Sequence, residues 1–144
     1  MSGANPVQRL SHVAIAVRDA DALANVLVSA LGATRGAEEM LEGGALRVVF
    51  VSLGPVTFEL LEPRSPDHTV AKFLEKRGEG LHHVSLEVAN LGEALAGCRA
   101  AGVRLIDETP RPGAHGSRVA FLHPKSLGGV LFELCQQNPG DRKT

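Results

Sequence analysis

Two stretches of alternating apolar and polar residues set the frame of this chain. RLSHVAIAV, residues 9–17, carries Val13, Ile15 and Val17 on one side, and GLHHVSLEV, residues 80–88, carries Val84, Leu86 and Val88 in the same phase. A period of two predicts a half-buried strand in each. Each is followed by a polar start signal and a helical stretch. DADALANVLVSALGA opens on Asp19 or Asp21 and closes on Gly32; NLGEALAGCRAAGV opens on Asn90 and closes on Gly102. Turn signals at Gly43-Gly44, Gly54-Pro55, Pro110 to Gly116 and Gly128-Gly129 then delimit three short strands in each half. They are expected over 34–39, 46–53 and 56–62, and over 103–107, 117–122 and 129–136. Asp67 is the expected cap of an additional helix from about 68 to 77, closed by Gly78.

The two halves are one pattern written twice. Aligning the first strands sets His12 on His83, a shift of 71, and VTFELLE (56–62) aligns with VLFELCQ (130–136), placing Glu59 on Glu133 at a shift of 74. Two matches at nearly one shift indicate a duplicated βαβββ unit. The expected fold is therefore α+β: two tandem βαβββ modules forming a curved eight-stranded sheet with helices outside. It is read as a single domain over 1–144, with module one at 9–63, a linker helix at 66–78, module two at 80–136 and a frayed tail at 138–144.

The duplication also defines the candidate chemistry. His12, Glu59, His83 and Glu133 recur in repeat register. Two imidazoles and two carboxylates suit a borderline divalent metal such as zinc, cobalt, manganese or nickel. Glu59 stands among apolar neighbours of an expected central strand, where an unpaired charge is costly and a cation would offset it. His82 alternates away from His83, and His68 is read as a surface helix residue.

Composition narrows the alternatives. The 144 residues are 44% hydrophobic and 22% charged, a globular balance. A net charge of −1 argues against a nucleic-acid partner. No apolar run is long enough to span a membrane, and MSGANPVQRL lacks the apolar core of a secretory signal, so a cytoplasmic chain is expected. Cys98 and Cys135 are read as reduced thiols rather than a disulfide framework. No Gly-rich phosphate loop and no serine elbow is present.

These residues resemble the vicinal oxygen chelate (glyoxalase) superfamily and, within it, the methylmalonyl-CoA epimerase family. The strings that carry the resemblance are HVAIAV (12–17), ELLEP (59–63), AKFLEKRGEGLHHV (71–84), GVRLIDETPRPGAHGSRVAFLHPKS (102–126) and GGVLFELCQ (128–136). The resemblance implies that His12, Glu59, His83 and Glu133 ligate one divalent metal, cobalt ahead of manganese, zinc or nickel. It implies epimerisation of (R)- and (S)-methylmalonyl-CoA through a metal-stabilised enolate, with Glu133 as a catalytic base. Ser117, Arg118 and Lys125 are the expected contacts to the acyl-CoA substrate, and a homodimer is common among similar proteins. Many epimerases carry Gln at the position of Glu59. Some use a second Glu in the strand before ELLEP; counting back from Glu59 puts Arg47 there, so Glu38, Glu39 or Glu42, a water or another ligand carboxylate serves instead, or the activity differs. The competing readings are a glyoxalase I-like isomerase (lactoylglutathione lyase) and a metal-free small-molecule-binding protein of the same fold.

Overall fold

The computed structural model describes residues 6–138. They fall into two compact units: His12 to His82, and the residues before His12 together with those from His83 on. The expected tail beyond Asn138 lies outside the described residues.

The first unit follows the duplicated pattern. The strand β1 (Val7–Ala16), whose second half lies here, leads to the helix α1 (Ala20–Leu31) and the strands β2 (Thr34–Leu41), β3 (Leu46–Leu53) and β4 (Val56–Pro63). A second helix, α2, spans Thr69–Arg77. β3 runs antiparallel to both β2 and β4, and β4 runs parallel to β1, giving the order β2-β3-β4-β1. In the second unit the strand β5 (Gly80–Val88) is followed by α3 (Leu91–Ala100), β6 (Arg111–Pro112), β7 (Arg118–Leu122) and β8 (Phe132–Gln136), in the order β5-β8-β7-β6. No helix among the described residues is long and apolar enough to cross a membrane.

Each helix buries one stripe on one face of its own strands. Ala20 and Ala24 of α1 pack with Val17, Val49, Val51 and Leu60, and Leu91, Ala94 and Leu95 of α3 pack with Val88, Ala120, Leu122 and Leu134. Period-two alternation then sends His12, Glu59, His83 and Glu133 to the faces opposite α1 and α3.

The caps explain where the helices begin. Asp19 accepts from the Ala22 N–H and Asn90 from the Glu93 N–H, while Gly32 ends α1 at φ 74°. A second anchor is also duplicated. The last strand of each module reaches over to the start of its helix: Glu62 Oε2 accepts from the Ala20 N–H at 2.9 Å, and Gln136 Oε1 accepts from the Leu91 N–H at 2.8 Å. These acceptors satisfy helix donors that have no partner within the helix.

Two expectations are corrected. Residues 103–107 do not form a strand. Leu105 makes an isolated bridge to Leu122, and the Ile106 and Asp107 N–H groups both donate to the Phe121 carbonyl, while the Asp107 carboxylate takes the Phe121 N–H. Pro110 and Pro112 remove further donors, and the paired edge shrinks to Arg111–Pro112. The cap of α2 is His68, not Asp67: His68 Nδ1 accepts from the Val70 N–H at 3.0 Å, and the His68 side chain is only 8% exposed rather than on the surface.

The duplicated anchor predicts unequal costs. Gln136→Ala removes one neutral hydrogen bond and should lower stability by about 1 kcal/mol. Glu62→Ala also deprives the half-buried Arg47 of a counterion and should cost about 2–3 kcal/mol. Urea denaturation of both variants checks the order.

Candidate active site

In the first unit, β1 and β4 pair with Val13 opposite Phe58 and Ala14 opposite Glu59. In the second, β5 and β8 pair with Val84 opposite Phe132 and Ser85 opposite Glu133. The register is the same in both, so each module sets a His one residue before the parallel pairing and a Glu in its second step. His12 Nδ1 lies 3.2 Å from Glu59 Oε2, and His83 Nε2 lies 3.8 Å from Glu133 Oε2.

Burial tunes these groups. It lowers the His12 pKa to about 4, so this imidazole is neutral at pH 7 and able to donate a lone pair. The His83 ring stands edge-on to Phe121, with centroids 5.1 Å apart. Glu133 is pushed up to about 7, chiefly by burial; the Ser85 hydroxyl and then the Arg111 charge pull the other way. A carboxyl with its pKa near neutrality exchanges protons efficiently at physiological pH. An imidazole beside a carboxylate is a donor set that fits a divalent cation, and a cation beside Glu133 would reverse the effect of burial. His82 turns away from His83 and meets Phe73 of α2 edge-on at 4.9 Å; burial above all lowers its pKa to about 4.

The expected substrate contacts are spread out. Ser117 is buried at the end of a turn, on the same strand face as Val119, Phe121 and Glu133. Arg118 is exposed and alternates onto the α3 face with Ala120 and Leu122. Lys125 is exposed in a short turn whose backbone N–H donates to His123 Nδ1. Gly113 closes against this segment: a Cβ there would lie 2.7 Å from both Ser117 Oγ and Val119 Cγ1.

Arg47 carries none of the proton chemistry of the Glu it replaces. It sits on the α1 face of β3, opposite to Glu59, and is held by Glu38, Asp21 and Glu62. Hydrogen bonds from Arg47 hold the carboxyls of Asp21 and Glu38 below their ordinary values, and those partners raise Arg47 in turn. Glu38 is thereby committed to the helix side as well.

One feature escaped the sequence reading. Glu42 and His115 are the non-glycine residues with positive φ among those described, at 53° and 57°. Both occupy short turns that precede a strand, and they stand 73 residues apart, between the two shifts of the repeat, 71 and 74. The signal was present as a bulky residue directly before glycine in each half: Glu42-Gly43 and His115-Gly116. Strained backbone of this kind gathers at functional sites. Glu42 Oε2 lies 3.2 Å from His68 Nε2.

Comparison with known proteins agrees with this architecture. The model of the Glyoxalase/Bleomycin resistance protein/Dioxygenase superfamily matches residues 11–121, and the chain belongs to that superfamily. Several of its relatives there are named methylmalonyl-CoA epimerases. It is 42% identical over 138 residues to the mitochondrial methylmalonyl-CoA epimerase of Bos taurus, covering 93% of this chain and 79% of that protein. The crystal structure of methylmalonyl-CoA epimerase from Mycobacterium tuberculosis superposes with a TM-score of 0.89 at 34% identity, covering 97% of this chain and 95% of that one. A variant of the Streptomyces coelicolor methylmalonyl-CoA epimerase, in complex with 2-nitronate-propionyl-CoA, gives 0.84 at 34% identity, covering 91% and 98%.

Two predictions follow the geometry. A carboxyl whose pKa is depressed by folding stabilises the fold above its ordinary value and loses that contribution as the pH falls through the depressed one. The wild-type chain should therefore lose stability as the pH falls below 4.5 and then 3.8, the ordinary Glu and Asp values, and Arg47→Met should flatten this loss in urea titrations across that range. Gly113→Ala forces the turn to shift and should cost about 1–3 kcal/mol, read from the same titrations at neutral pH.

Proposed function

We propose that the chain is a metal-dependent epimerase that interconverts (R)- and (S)-methylmalonyl-CoA by exchange of the α-proton. The observation that carries this reading is the His–Glu pair set in identical register in both modules. The names of its relatives and of their bound analogue supply the substrate class.

His12, Glu59, His83 and Glu133 are the proposed ligands of one divalent ion, with cobalt ahead of manganese, zinc or nickel. When bound, such an ion supplies positive charge that stabilises the negative charge developing as the substrate becomes an enolate. Glu133 takes the α-proton on one face of the substrate carbon. The acid on the other face is proposed to be Glu42: Glu38 is committed to Arg47, whereas Glu42 is held in strained backbone and keeps a largely exposed carboxylate. The two residues exchange roles in the reverse direction. Ser117 and Arg118 are proposed to hold the substrate carboxylate or carbonyl, and Lys125 a phosphate of CoA.

The test is α-proton exchange of methylmalonyl-CoA in deuterium oxide, followed by NMR with metal-loaded and chelated protein. Exchange that needs metal, with conversion of one pure epimer into the other, is the expected result. His12→Ala and His83→Ala should lose both metal and exchange. Glu133→Gln should hold metal and lose exchange by about 10²–10⁴-fold. A metal-holding protein that exchanges nothing would overturn the reading in favour of a glyoxalase-like isomerase, and a protein that holds no metal would overturn it in favour of a binding module.

A further inference from the structure

We propose that His68 is a positioning residue for Glu42, holding its carboxylate in the orientation that proton return requires. The inference rests on the reading of Glu42 as the second acid/base. Glu42 alone is poorly fixed: it belongs to the short turn Glu42–Gly44, and its side chain is 58% exposed. A carboxylate so placed samples many rotamers, and a misplaced acid/base loses rate steeply.

His68 is the opposite case. Its side chain is 8% exposed, and its Nδ1 accepts the Val70 N–H at 3.0 Å. A neutral imidazole has one N–H, so an accepting Nδ1 assigns the hydrogen to Nε2. That nitrogen is buried, has no hydrogen bond of its own among the described residues, and lies 3.2 Å from Glu42 Oε2, the acceptor it would meet on a small turn of either side chain. One oxygen of the carboxylate thus rests beside the start of a packed helix, whose Val70 and Leu74 are buried. The second oxygen is left to handle the proton.

Capping does not account for the choice of residue. Ser, Thr, Asp and Asn are the preferred N-caps, and a short side chain serves that role as well as an imidazole. What the ring adds is reach: the first nitrogen caps α2 and the second, on the far side, meets Glu42.

Two substitutions separate the roles, because an Asn oxygen reproduces Nδ1 and a Gln nitrogen reproduces Nε2. His68→Asn keeps the cap and loses the donor. It should hold its melting temperature while kcat for epimerisation falls about tenfold, with KM changed less than about twofold. His68→Gln keeps the donor and loses the cap. It should melt a few degrees lower, by about 2–6 °C, yet keep kcat within about threefold of the wild type. Glu42→Gln should lose about a hundredfold or more, and adding His68→Asn to it should cost nothing further. If Glu42→Gln retains kcat, the reading of Glu42 fails and the inference falls with it. If Glu42→Gln is inactive but His68→Asn turns over normally, or if kcat merely follows melting temperature across the Asn and Gln variants, Glu42 stands and the positioning role is overturned.

Discussion

The parallel pairing between the first and last strands of each module governs the arrangement around it. Because side chains alternate at every step, the register of that pairing decides in one stroke which residues meet the helix and which face away from it. Val13, Ile15, Phe58 and Leu60 go to α1, and His12 and Glu59 go to the other face. A slip by one residue would bury the imidazole and the carboxylate under the helix and expose the valines. The apolar core thus fixes the position of the polar pair, although no atom of the helix needs to touch it.

The same constraint limits what can stand beside the acidic residue. Opposite Glu59 is Ala14, and opposite Glu133 is Ser85, both fully buried. A larger residue at either position would occupy the space against which the carboxylate lies. The Ser supplies a hydroxyl that moderates the effect of burial on Glu133, while the Ala supplies none. The two halves share a frame and differ in the polarity of this one neighbour.

Much of this was legible in the sequence, because the signals were local and doubled. The period of two, the capping residues Asp19 and Asn90 and the glycines that end α1 and follow α3 are read over a few residues, and the repeat confirmed each with a second copy. The failures came where a non-local partner decided the outcome. Residues 103–107 carry a strand-like apolar run, yet the Asp107 side chain and two prolines divert the hydrogen bonds that a ladder would need. His68 reads as a surface residue until a turn 26 positions earlier brings Glu42 to it. Arg47 falls where an acid was sought by counting, but counting carries no information about which face a residue occupies.

The two modules also tether their helices by different chemistry. In the first, the acceptor over the helix start is an ionised Glu62 shared with Arg47 and Arg64; in the second it is the amide of Gln136. A duplicated chain begins with identical halves, so this divergence is a choice made after copying. Dissolved salt screens the outer contact, where Arg64 is 53% exposed, far more than the enclosed one to Arg47, and the amide tether carries no charge to screen. Of two halves that share one architecture, the one that carries Glu42 and His68 is thus the one whose helix anchor has an exposed cation for a neighbour.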